Sequence, residues 1–246
     1  MIDEGEDDIK CEGHGHDEQI ERDFEQVIQL RNAQIVNCTT PAQYFHVLRR
    51  QVYFSSIFFF NIITSILFQV HREFRKPLIV VSPKNLLRHK EAVSTLEEMS
   101  LGQRFHRVIG DGRSEGEGVE KVVLCSGKVY YDLLDERTRL INEGSEIADK
   151  VALVRVEQVA PFPFDAVKRE VSRYPTSAEL VWVQEEPRNY GCWAFVEPRI
   201  RALERKEGTN REVTFVGRWA SASPATGLGT RAHQAEFKEM MQELFN

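Results

Sequence analysis

The sequence predicts an α/β fold, a parallel sheet covered by helices on both faces, and three observations carry that prediction. From residue 119 onward, short apolar runs alternate with amphipathic stretches of helical period. The apolar runs are nearly continuous, as expected of strands buried on both faces. Helix punctuation falls where the alternation needs it: Pro163 opens one helix and Gly144 closes another. A chain of 246 residues is long enough for one large domain or two small ones with a real core.

Taken in order, AQIVNCTT (33–40) reads as a short buried strand. TPAQYFHVLRRQ (40–51) follows as a helix, with Thr40 as N-cap and Pro41 at the first helical position. KPLIVVSPK (76–84) is an apolar run between prolines and predicts a fully buried strand, and 85–99 predicts short helix and loop. Residues 100–118 hold Gly102, Gly110, Gly112, Gly116 and Gly118 among charges and read as a linker. Beyond it, strands are expected at 119–127, 150–159, 178–186 and 212–218. Helices are expected at 128–144, 163–174, 190–206 and 231–245. The whole is an α/β domain of about 130 residues, a common domain size.

Composition excludes a disordered tail, a collagen and a small disulfide scaffold, since 41% of residues are hydrophobic and 28% charged. The formal charge of −6 is unevenly placed. Residues 1–26 carry eleven acids against Lys10 and Arg22, a net −9, and the remaining 220 residues sit near +3. Cys11, Cys38, Cys125 and Cys192 are far apart and form no C-x-x-C, which fits a reducing compartment. The first residues have neither the apolar core of a secretory signal nor the Arg-rich, acid-poor make-up of a transit peptide.

Residues 52–69, VYFSSIFFFNIITSILFQ, form an 18-residue uncharged stretch holding five of the fifteen phenylalanines. Length and polarity make it a minimal membrane-span candidate, with basic residues on both flanks and so no orientation bias. Its β-branched and aromatic content equally fits a buried or interfacial insertion. A third reading explains more: joining Gln51 to Val70 gives LRRQVHREFRKPLIVVSP, an amphipathic helix running into a strand. The segment starts with Val, whose codons begin GT, and ends with Gln, for which CAG is a codon; these are the boundaries of a translated in-frame intron.

Several motifs bear on chemistry. Open α/β sheets bind ligands beyond the carboxyl ends of their strands. That directs attention to Cys125-Ser126-Gly127-Lys128, to Glu185 through Asn189, and to 218–229. The first has one glycine and reads as a tight strand-to-helix turn rather than a phosphate loop. Glu185 and Glu186 are adjacent on a strand end, so at most one faces a site. Gly110-Asp111-Gly112 with Asn142 mimics a diphosphate–magnesium signature but lacks the strand that should feed it. Cys11, His14 and His16 match no common zinc spacing. Arg49, Arg50, Arg72, Arg75, Lys84, Arg88 and His89 form a basic zone whose sign suits a phosphate or anionic effector. No basic stripe with interleaved aromatics argues for nucleic acid.

TTPAQYFHVLRRQ, VHREFRKPLIVVSPKNLLRHKEAVS, LCSGKVYYDLLDER, VRVEQVAPFPFD, VWVQEEPRNYGCW, FVGRWASASPATG and a nearby His233 occur in one order. Together they resemble the C-terminal third of the thiamine-diphosphate-dependent first component of 2-oxoglutarate dehydrogenase, a transketolase-like family. The match runs from about Ala33 to Phe245 apart from 52–69. It implies a transketolase C-terminal-like parallel-sheet domain at 119–246. Preceding it would be the tail of a pyrimidine-binding α/β domain at 33–99, a linker at 100–118 and a poorly matched acidic head at 1–32.

The resemblance further implies oxidative decarboxylation of 2-oxoglutarate in the tricarboxylic acid cycle, with succinyl transfer to a lipoyl-bearing succinyltransferase. It implies a homodimer in the mitochondrial matrix. The cofactors are thiamine diphosphate and magnesium in the full-length family, and neither is expected to bind this chain alone. His16 is the one counterpart of a substrate-side histidine in the family, where an EGQGPEHSSAR-like segment is replaced by Glu12-Gly13-His14-Gly15-His16. Lys84, Arg88, His89 and Arg72 are the expected anion-effector residues. The alternative is a non-catalytic α/β module for assembly or effector binding. No membrane contact is expected unless 52–69 is a span.

Overall fold

The computed structural model describes residues 32–52, 76–112, 116, 118–223 and 229–245. Residues 1–31 of the acidic head, with His16, lie outside them, as do Arg72, Arg75 and all of the apolar insertion except Val52.

Two sheets organise the chain. The larger has five strands in the order β3-β5-β4-β7-β8: β3 (Val108–Ile109), β4 (Lys121–Cys125), β5 (Val151–Val156), β7 (Glu179–Gln184) and β8 (Val213–Gly217). The last four named are mutually parallel, and β3 adds an antiparallel edge to β5. The alternating α/β pattern read from the sequence is therefore the architecture, with one antiparallel edge strand added.

Side chains alternate across this sheet, and each face meets its own helices. On one face Val122, Leu124, Val154, Leu180 and Trp182 pack beneath α4 (Phe164–Val171) and α5 (Trp193–Lys206), against Val167, Val196 and Ile200. On the other, Val123, Leu153, Val181 and Val183 meet α2 (Val129–Asn142), α3 (Glu146–Asp149) and α6 (Thr230–Phe245). Gly144, at φ +87°, ends α2 where the sequence places its stop, because only glycine adopts that backbone without strain.

The smaller sheet has the order β2-β1-β6, from β1 (Gln34–Val36), β2 (Leu78–Val80) and β6 (Gln158–Ala160). β1 runs parallel to β2 and antiparallel to β6. After β1 comes α1 (Pro41–Val52), capped as expected: Thr40 Oγ1 accepts from the Gln43 amide at 3.3 Å. Ser94 Oγ takes the Ala42 amide at 3.0 Å.

Three expectations need correction. KPLIVVSPK does not form a fully buried strand, because β2 is a sheet edge and Ile79 and Val81 are both 47% exposed. The single strand expected at 150–159 is two, divided at Glu157, so that one extended run passes from the large sheet into the small one. The stretch 100–118 is not all connector. It supplies β3 and the buried Phe105, and Asp111 pairs in the interior with Arg137 of α2.

Candidate functional site

β4 and β7 are neighbours, and the helices that follow them, α2 and α5, lie on opposite faces of the sheet. This is the switch point at which α/β sheets open a crevice. The loops there are occupied internally. Gly127 has φ +75°, and a Cβ there would overlap the Asn37 carboxamide. Ser126 Oγ donates to the Val156 carbonyl at 2.8 Å. The Lys128 ammonium bonds Asp132 at 2.6 Å and faces Glu185 at 3.7 Å. Burial works against that charge, but Asp132 and then Glu185 outweigh it and raise the Lys128 pKa. The tight-turn reading of Cys125 to Lys128 accounts for every one of these contacts.

The Glu185–Asn189 loop hangs on one buried side chain, Gln184, at the end of β7. Its Oε1 accepts from Trp182 Nε1 at 3.1 Å, Cys192 N at 3.2 Å and Trp193 N at 3.0 Å. Its Nε2 donates to the carbonyls of Glu186 at 3.3 Å, Pro187 at 3.2 Å and Tyr190 at 2.7 Å. The amide thus uses both its ends on the loop and on the first turn of α5. Nothing in the sequence marks Gln184, since a single glutamine at a strand end carries no periodic signal.

The open space that gathers charge lies elsewhere, in a cleft of about 940 Å³ beside the small sheet. It is lined by the 3₁₀ turn Lys84–Arg88 and the residues after it, which present Lys84, Arg88, His89 and Lys90, together with Glu91 and with Asp135 of α2. Of the predicted basic zone, Lys84, Arg88 and His89 come together here. Arg49 and Arg50 do not: Arg49 donates to the Gln103 carbonyl, and half-buried Arg50 lies over the Phe105 ring at 4.5 Å. Burial, then the charge of Arg107, pushes the Arg50 pKa down to about 9.

His89 lies on the Tyr131 ring, with centroids 4.6 Å apart and planes at 35°. Tyr131 is buried and its phenol donates to the Thr39 carbonyl at 2.7 Å. Thr39 N in turn donates to Glu157 Oε2 at 2.8 Å, and its hydroxyl donates to Glu157 Oε1. Arg155 donates to that same hydroxyl at 3.0 Å while lying over the Tyr130 ring at 4.4 Å. Glu157 is fully buried at the junction of β5 and β6. Burial raises its pKa against the opposing influence of Arg155 and the Thr39 hydrogen bonds.

Gly110-Asp111-Gly112 does not provide a metal–diphosphate cradle. The Asp111 carboxylate is buried, paired with Arg137 Nη1, and accepts from Leu153 N at 2.9 Å. Among the described residues no group of three or more His, Cys, Asp or Glu is placed to hold a metal ion. Among them, too, no helix is long and apolar enough to cross a membrane.

Residues 93–245 match the family described as 2-oxoglutarate dehydrogenase C-terminal. A 2-oxoglutarate dehydrogenase E1 component of Brucella anthropi is 44% identical over 223 residues, covering 86% of this chain and 20% of the relative. The E1 component of Brucella ovis is 42% identical over 246 residues, covering 94% of this chain and 22% of the relative. The chain thus spans about a fifth of the length of these relatives. A parallel α/β domain of this topology, matched over most of its length at this identity, belongs to the 2-oxoglutarate dehydrogenase C-terminal family.

Proposed function

We propose that this chain serves as the carboxyl-terminal region of a 2-oxoglutarate dehydrogenase first component. The observation that carries the reading is the 42% identity to the Brucella ovis E1 component across 94% of the chain. The activity would be thiamine-diphosphate- and magnesium-dependent oxidative decarboxylation of 2-oxoglutarate, with the succinyl group passed to a lipoyl-bearing succinyltransferase. The described residues do not fit the cofactor, because the one candidate carboxylate, Asp111, is spent on Arg137 and Leu153. No chemical step is assigned to them. Their part is structural and regulatory: a dimer-stabilising α/β domain, with Lys84, Arg88 and His89 holding an anionic effector in their cleft; Arg72, outside the described residues, is the fourth effector residue proposed from sequence. His16 is the candidate for a substrate-side histidine, and the mitochondrial matrix is the proposed compartment.

Complementation tests this. The chain is co-expressed with the amino-terminal remainder of the Brucella ovis relative, and 2-oxoglutarate-dependent reduction of ferricyanide is measured. Activity in the mixture and none in either part supports the reading; an inactive mixture of folded parts overturns it. For residues 52–69, a transcript joining the codons of Gln51 and Val70 directly identifies the segment as an intron.

A further inference from the structure

The anion cleft has walls from two different parts of the fold. Lys84, Arg88 and His89 follow β2 of the small sheet, whereas Asp135 and the Tyr131 ring under His89 belong to α2, which is packed on the large sheet. The two sheets meet at the joint made by Thr39, Tyr131, Arg155 and Glu157. Tyr131 belongs to both features: its ring face supports His89, and its hydroxyl holds the carbonyl of Thr39. We infer that an anion bound in the cleft fastens the small sheet to the large one, with Tyr131 as the shared positioning residue.

This rests on the reading of the cleft as an anion site, and the physics is linkage. A ligand whose affinity depends on His89 being seated on Tyr131 binds fully only when the sheets are docked. It therefore shifts the docking equilibrium by a factor of up to one plus the ratio of free ligand to Kd. The coupling is reciprocal: loosening the joint weakens anion binding by the same factor that binding tightens the joint.

The test uses inorganic pyrophosphate as the probe, on the full chain at fixed ionic strength. Calorimetry gives its Kd, and hydrogen exchange follows the amides of Thr39 and Asn37, which are bonded to Glu157 Oε2 and the Glu157 carbonyl. At a hundredfold excess over Kd, exchange of both amides through undocking should slow by up to about 100-fold. The Lys84→Ala/Arg88→Ala variant should lose both binding and the added protection. Tyr131→Phe keeps the ring and loses the hydroxyl, so it should bind pyrophosphate about fivefold more weakly. Binding that leaves Thr39 and Asn37 exchange unchanged overturns the fastening while the anion site stands. Absence of binding to the wild-type chain overturns both.

Discussion

Replacing Arg137 by Met should cost this domain about 3–5 kcal/mol, a range set by leaving a buried charge unpaired. The side chains of Arg137 and Asp111 are 3% and 5% exposed, so solvent screens neither. Arg137 also donates to the Val151 carbonyl at 3.0 Å, and Asp111 also accepts from Leu153 N at 2.9 Å. One pair therefore ties α2, β5 and the 100–118 stretch together. At a urea m-value of about 2–3 kcal/mol per molar, the midpoint falls by roughly 1–2.5 M. On heating, the transition falls by roughly 6–20 °C. The double variant Arg137→Met/Asp111→Asn removes the stranded charge and keeps an acceptor for Leu153 N. About 1–3 kcal/mol of the loss should return in it. A loss below about 1 kcal/mol for Arg137→Met, or a double variant as unstable as the sum of the singles, would refute the argument.

Gln184→Leu removes six hydrogen bonds at once and should destabilise by about 2–4 kcal/mol, with a change in the fluorescence of buried Trp182. An unchanged spectrum and midpoint would show that the loop holds itself. Gly127→Ala should cost more than the about 1–2 kcal/mol of left-handed backbone strain, since its Cβ meets Asn37. Gly208→Ala, at nearly the same φ with open space around it, should cost the strain alone, and equal losses at both sites would remove the clash from the account. Glu157→Gln tests the raised carboxyl pKa. The folded state holds that proton more tightly than the unfolded state, so it binds more protons in the window above the unfolded value of about 4.3. Wild-type stability should fall as pH rises through that window, and the variant's urea midpoint should gain on the wild type over the same range. A pH-independent difference between the two would exclude the burial effect.

Much of this fold was legible because its signals are local. β4 and β7 announce themselves as continuous apolar runs, Thr40-Pro41 as a helix start and Gly144 as a helix stop. What escaped depends on partners distant in sequence. Nothing near Glu157 marks a change of sheet, since β5 and β6 form one extended run with no turn residue between them. KPLIVVSPK has the composition of a buried strand, but burial is decided by neighbouring strands, and β2 has one on a single side. Asp111 sits among glycines that read as linker, while the arginine that claims it is 26 residues away. For the site, sign and composition grouped seven basic residues, yet geometry divides them. Lys84, Arg88 and His89 face a cleft, whereas Arg50 turns inward onto Phe105. Tyr131 was invisible as a site residue because an aromatic at helical spacing is ordinary core.

The run that serves both sheets also sets an order of events during synthesis. Thr39 and Glu157, which close the joint, are 118 residues apart along the chain. At a translation rate of about 5–20 residues per second, roughly 6–24 s pass between the emergence of the two. During that interval β1 has β2 as its one sheet partner, and the edge that pairs with β6 in the folded chain is open. The nascent small sheet thus carries an unpaired strand edge for those seconds, and the arrival of β6 closes it.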